Sequence, residues 1–356
     1  MTTTRSPWTI SETDYPRDAD LTEQLRFCLN YAILAPSSHN TQPWRFVIGD
    51  GCVDVHADYS RSLEVIDPDR RTLMISCGAA VFFLQVALHR FGHRADIRWL
   101  PLGIDNTLLA RIRVEDKHQP NIGDTTLIRA IPERRTNRQA FETKLPPSSL
   151  LDTLEAAAEE YNSWLHIIID DTRKQQVAEL IAEADRQQLA DKAFRQELAD
   201  WMRTSSDEGR DGIPGYSYGI PALLDFATPG LALAVRTFDM GDSVAADHQQ
   251  LALGSPVLTV LGTMDDTPRA WLEAGMALAG VLLWATADGV SASYLNQPCE
   301  IAELRTQLAT TLGRPGYPQL ILRLGYGPAV EPTPRRGVEE VTNGLPDSSA
   351  DRQSAP

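Results

Sequence analysis

The chain has 356 residues, 42% of them hydrophobic and 23% charged, which gives it the length for about two compact units and the apolar mass to fill their cores. A net charge of -15 offers no broad cationic face for a phosphate backbone and excludes a general nucleic-acid binder. Four cysteines, at 28, 52, 77 and 299, form no CxxC pair and no regular framework, so neither a structural zinc nor a disulfide scaffold is indicated, and reduced cytoplasmic thiols are the simplest reading.

Residues 1–20 are polar and carry Arg5, Pro7, Asp14 and Pro16 without the apolar stretch of a secretory signal. Leu21, Leu25, Cys28, Leu29 and Ala32 then recur at helical spacing, and Trp44 to Ile48 and Val53 to His56 read as strands joined by the turn Gly49-Asp50-Gly51. Between that helix and the first strand lies Ala35-Pro36-Ser37-Ser38-His39-Asn40-Thr41-Gln42-Pro43-Trp44. Ser and Asn offer donors and acceptors while Pro and Trp supply flat apolar surface, a combination suited to the edge of a planar heterocycle. On spacing alone an ordinary proline-bounded turn accounts for it as well.

A buried helix is expected at about Arg71 to Phe91, then a strand at Leu108 to Val114. Further helices are expected at about Ser148 to Glu160, Thr172 to Met202, Arg269 to Ala287 and Ile301 to Leu312, with strands at Trp164 to Ile169, Pro256 to Leu261 and Gln319 to Leu324. The apolar runs Cys77 to Leu88 and Ala274 to Ala287 are shorter than a bilayer span and read as helices buried in protein. They echo one another: Gly78, Ala80, Leu84 and Gly92 have counterparts at Gly275, Ala277, Val281 and Gly289 at one offset, as in two copies of one design.

Glu133-Arg134-Arg135-Thr136-Asn137-Arg138 gathers three guanidiniums and a hydroxyl in an acidic protein, and such a group can hold a phosphate. A second basic pair, Arg335-Arg336, follows the last strand; solvated surface charge is the alternative for either group. Residues 204–243 crowd glycine and proline together with Tyr216, Tyr218, Phe226 and Phe238, which suggests a lid instead of a plain linker. Residues 347–356 read as disordered. His89 and His93, four apart, lack a fitting third ligand, and no GxSxG elbow, HExxH or Walker loop occurs.

The motifs PSSHNTQPW and RRTNRxxF, the buried helix ending in Gly-Val and the final strand followed by a basic pair resemble the nitroreductase superfamily of FMN flavoproteins. More narrowly, residues from about 20 to 340 are similar to the Acg-like tandem nitroreductases. The resemblance implies an α+β nitroreductase-like fold in which two fused modules form a pseudo-dimer, with antiparallel or mixed sheets and buried central helices. The expected division is residues 20–130 for the first module and 131–340 for the second, with the lid insertion at 204–243 and a flexible tail at 341–356.

The same resemblance places FMN between the modules. Arg134, Arg135, Thr136 and Arg138 would hold its phosphate and ribityl chain, assisted by Arg335 or Arg336. Pro36, Ser37, Ser38 and Asn40 would border the isoalloxazine, and Asn296 and Gln297 would inherit the position near flavin N5. Two departures stand out: a Glu-Gly pair common in the superfamily is absent after the second buried helix, and the symmetry-related site lacks its motifs, which implies one FMN per chain. The implied activity is electron transfer from NAD(P)H through flavin N5 to a nitroaromatic, quinone or similar acceptor, with no metal. Tyr216, Tyr218 and Phe226 would form the lid and substrate contacts. The alternatives are a lid-covered FMN-sequestering stress protein with little turnover, and a reductase for one dedicated metabolite. Fusion removes the need for a homodimer, so a monomer is expected.

Overall fold

The structure, a computed structural model, describes residues 6–100, 106–203, 209–215 and 228–342. Its first part runs α1 (Leu21–Ala32), β1 (Trp44–Gly49), β2 (Cys52–Ala57), α2 (Arg71–Arg90), β3 (His93–Trp99), β4 (Leu108–Lys117) and α3 (Ile122–Glu133). The second runs α4 (Ser148–Glu159), β5 (Ser163–Ile168), α5 (Asp171–Ala190), α6 (Lys192–Asp200), β6 (Met202–Arg203), β7 (Ile213–Pro214), α7 (Thr228–Thr237) and α8 (Gly241–Leu253). It ends with β8 (Val257–Thr263), α9 (Pro268–Ala287), β9 (Ser291–Tyr294), α10 (Gln297–Glu300), α11 (Ala302–Leu312), β10 (Tyr317–Gly325) and α12 (Val338–Thr342).

The two halves repeat one topology. One antiparallel sheet has the order β1-β2-β4-β3 and the other β5-β8-β10-β9, so β5, β8, β9 and β10 replay β1, β2, β3 and β4 with α9 in the place of α2. Where the first half turns tightly at Asp50 and Gly51, the second carries residues 169–256 between its two equivalent strands. The whole insertion is therefore an enlarged hairpin loop.

The central helices meet at the echoed glycines. A Cβ on Gly78 would stand 2.1 Å from the Leu272 carbonyl oxygen, and one on Gly275 would stand 2.1 Å from that of Ile75. The reciprocity is that of a local two-fold axis, and hydrogen side chains let the two backbones touch. Each helix also enters its neighbour's core: α9 supplies Leu272, Met276, Ala279 and Leu283 to the first, and α2 supplies Ile75 to the second. By length and composition both could cross a membrane, but most of each is buried within the protein. Behind both, Gly92 and Gly289 take positive φ, as their place after the helix ends requires.

Two expectations are corrected. The segment read as one helix from Thr172 to Met202 breaks at Asp191, whose extended backbone ends α5 and whose carboxylate accepts from Ala193 N at 2.8 Å to cap α6. The stretches after Gly92 and Gly289, read as irregular, are the edge strands β3 and β9. α3 spans residue 130 and packs against both α2 and α9.

Candidate functional site

Loop 35–43 leaves α1 and turns back on itself through His39, Asn40 and Gln42, all at positive φ. Such backbone needs side chains to hold it, and the loop supplies and receives them. Ser37 Oγ accepts from Gln42 N at 2.9 Å, and Asn40 Nδ2 donates to the carbonyls of Gly212 and Pro334 at 3.1 and 3.0 Å. Arg335 donates to Asn40 Oδ1 at 2.6 Å and to Ala35 O at 3.2 Å, while Arg336 bonds Gln42 through its backbone N and through Nη1. The second basic pair thus braces the loop through Arg335 Nη1 and Nη2 and Arg336 Nη1.

The arginine-rich segment runs along the open edge of the second sheet. Thr136 bridges Ala292 of β9, and Asn137 N donates to Ala292 O at 2.9 Å. Asn137 Nδ2 reaches Pro328 O at 2.8 Å. From beneath, buried Arg323 of β10 donates to the carbonyls of Asn137 and Gln139 at 2.9 Å and stacks on Phe141 at 4.2 Å. A charge inside an otherwise apolar strand is the sequence signal that could have marked Arg323.

These two segments face each other. Arg134 is buried, and its Nε and Nη1 have no partner among the described residues; the same holds for the buried hydroxyl of half-buried Tyr294 on β9 and for Nδ1 of His39. Burial pulls the Arg134 pKa down, and Arg135 adds to the effect. Burial likewise raises Tyr294 although Arg134, Arg138 and Arg335 pull it back, so its proton stays available for donation. His39 is lowered to about 4, first by burial and then by the Arg138 charge, which links the serine-asparagine loop to the arginine segment across the gap. Among the described residues, these unpartnered polar atoms on His39 and Tyr294 both lie within reach of the Arg138 charge, and Tyr294 within reach of Arg134. Tyr294 and His39 join the arginines here, and neither stands in the site set expected from sequence.

No family model matches the chain. It is 34% identical over 329 residues to "Putative NAD(P)H nitroreductase Rv3131" of Mycobacterium tuberculosis, covering 90% of this chain and 91% of the relative. It is 31% identical over 332 residues to "Putative NAD(P)H nitroreductase acg" of the same organism, covering 90% and 95%. The chain belongs to the Acg-like nitroreductase family. "Probable NAD(P)H nitroreductase PigM" of Serratia is more distant, at 24% identity over 90% of this chain and 93% of its own. Among solved structures, the FMN-dependent nitroreductase NfnB of Mycobacterium smegmatis in complex with NADPH aligns over 62% of this chain and 99% of its own, with 16% identity and a TM-score of 0.41.

The remaining expected residues of this Acg-like chain fall in different places. Ser37 and Asn40 shape the loop, Pro36 and Ser38 lie within it, and Arg135 turns back to the carbonyls of Pro132 and Arg134 at 2.7 and 2.9 Å. Asn296 spends its Oδ1 on Ile321 N at 2.9 Å, and Gln297 Nε2 lies 3.0 Å from Asp185 and 2.9 Å from His248 of the insertion. Their side chains therefore serve the second sheet and the insertion, and the structure does not bring them into the arginine group. Tyr216, Tyr218 and Phe226 lie outside the described residues, as does the terminal stretch 347–356.

His89 finds its partners in Asp124 and His118, not in His93. The His118 Nε2 to Asp124 distance is 2.8 Å, and the two imidazoles stack at 4.4 Å with 24° between planes, so their in-plane lone pairs run side by side toward one carboxylate. Such stacking suits shared hydrogen bonding better than convergence on one metal ion. A concavity of about 990 Å³ beside Trp164, His166 and Arg314 opens where β10 begins, at the end of that strand away from the arginine group.

Proposed function

We propose that this chain binds FMN between its two halves and acts as an oxidoreductase of nitroreductase type, taking electrons from NAD(P)H and giving them to a nitroaromatic, quinone or similar small acceptor. The observation that carries the reading is the group of buried donors on Arg134, Tyr294 and His39, with the Arg138 charge beside them. A buried guanidinium without a partner is costly, and a phosphate answers it with charge-assisted bonds of about 1.5 to 3 kcal/mol each. FMN, when bound, supplies a ring that accepts a hydride at N5 and passes electrons on.

The chain's own contribution is placement. Arg134, Arg138 and Tyr294 grip the phosphate, and Arg135 and Thr136 hold the segment along the edge of the second sheet. Loop 35–43, with Pro36, Ser37, Ser38 and Asn40, closes on the ring from the first half. Asn296 and Gln297 contribute near flavin N5; Gln297 Nε2 is held by Asp185 and His248, while its buried Oε1 has no partner among the described residues. In this reading the modules are residues 20–130 and 131–340, with the insertion at 204–243 carrying Tyr216, Tyr218 and Phe226 as lid and substrate contacts, and the protein works as a cytoplasmic monomer.

One observation favours the second reading, an FMN-sequestering protein with little turnover. The root of the insertion is tied to the loop: Gly212 and Asn40 bond each other, Gln42 reaches Arg210 O at 2.7 Å, and Arg61 and Asp211 form an ion pair. Anaerobic NADH and NADPH separate the two. Bleaching of the yellow protein within seconds supports the reductase; a flavin that stays oxidised under excess of both nucleotides refutes it and leaves sequestration.

A further inference from the structure

We propose that Trp8, in the segment before the first helix, is a positioning residue that locks the two halves of the anion site together; this rests on the FMN reading above. The residue sits in a short 3-10 turn, Pro7–Thr9, and its Nε1 donates to Thr333 O at 2.8 Å. Two guanidiniums lie over its ring: Arg135 at 4.2 Å and Arg335 at 4.9 Å from the ring centre. The first belongs to the arginine segment and adjoins Arg134. The second belongs to the brace and holds Asn40 and Ala35 of the serine-asparagine loop.

Like charges this close repel, and a ring whose face carries negative quadrupole charge lets them share one place. Through these contacts one indole fixes the approach of two motifs far apart in sequence. Trp8 acts through Arg135 and Arg335. Its loss loosens the phosphate end through Arg135 and, to a lesser degree, the ring-side loop through Arg335.

The two ends are separated by titrating the full-length chain with FMN and with riboflavin, which differ only in the phosphate. Wild type should prefer FMN strongly. Trp8→Leu keeps apolar volume without a π face and should cut that preference about tenfold, with riboflavin binding weakened less than FMN binding. Trp8→Phe keeps a weaker ring and should cut it about threefold, which also serves should the leucine variant not fold. An unaltered preference in either folded variant, or an equal weakening of both ligands, overturns the positioning role. A wild-type chain that binds FMN no better than riboflavin overturns the FMN reading itself.

Discussion

Arg134 carries the clearest consequence of leaving a charge inside a protein without a counter-charge. Its buried Nε and Nη1 find no partner among the described residues, and burial lowers its pKa. Such a group weakens the ligand-free protein and is retained for what it binds. Arg134→Met should therefore weaken FMN binding at least about tenfold while raising the unfolding stability of the flavin-free chain by about 1 to 3 kcal/mol. Chemical denaturation and flavin titration on the same preparation check both signs. His39 makes a pH prediction. Its folded pKa, about 4, lies below the ordinary histidine value, so the unfolded chain binds the extra proton first. The stability present above pH 6.5 should fall on acidification and level off near pH 4, a loss on the order of 2 kcal/mol. In His39→Gln that part of the pH dependence should vanish in urea titrations at pH 7 and 4.5. The arginine segment and the loop were legible in the sequence because polar groups cluster there between apolar elements. Tyr294 and Trp8 were not, since a single aromatic acquires its role only from what the fold places against it.

At the scale of elements, the strong periodic helices were readable and the edges of the sheets were not. α2 and α9 announce themselves by continuous apolar runs and positive-φ glycines behind them. β3 lies at a sheet edge with polar, half-exposed residues and β9 is only four residues long, so neither alternation nor β-branched enrichment marks them. The segment from 172 to 202 keeps helical spacing across Asp191, and only the cap reveals the break. The helix crossing gives a stability prediction. Gly78→Ala or Gly275→Ala sets a methyl group against a backbone carbonyl that cannot rotate away. Each should cost about 3 kcal/mol or more, read as a lowered Tm. By contrast Gly289→Ala, with nothing within 4 Å of its added Cβ, should cost about 1 kcal/mol from its positive φ alone.

For the whole molecule, the proposed reading has the repeated topology let one chain make a site that needs two halves, and its broken symmetry limit it to one. Eleven residues, 33–43, connect α1 to β1, whereas only residues 160–162 connect α4 to β5, so the symmetry-related position has no room for a second serine-asparagine loop. The arginine segment likewise flanks β9 through the Thr136 bridge, and no corresponding bridge to β3 occurs among the described residues. The duplication was visible as an echo between two helices. The size of the insertion and its attachment to loop 35–43 were not, because contacts such as Asn40 with Gly212 join residues with no shared sequence pattern. The most direct test is the visible spectrum of the purified full-length protein together with identification and quantification of the flavin it releases. The account predicts a yellow protein holding one FMN per polypeptide. A colourless protein that retains no FMN when supplied with it, or one that takes up two per chain, contradicts the single site between the halves.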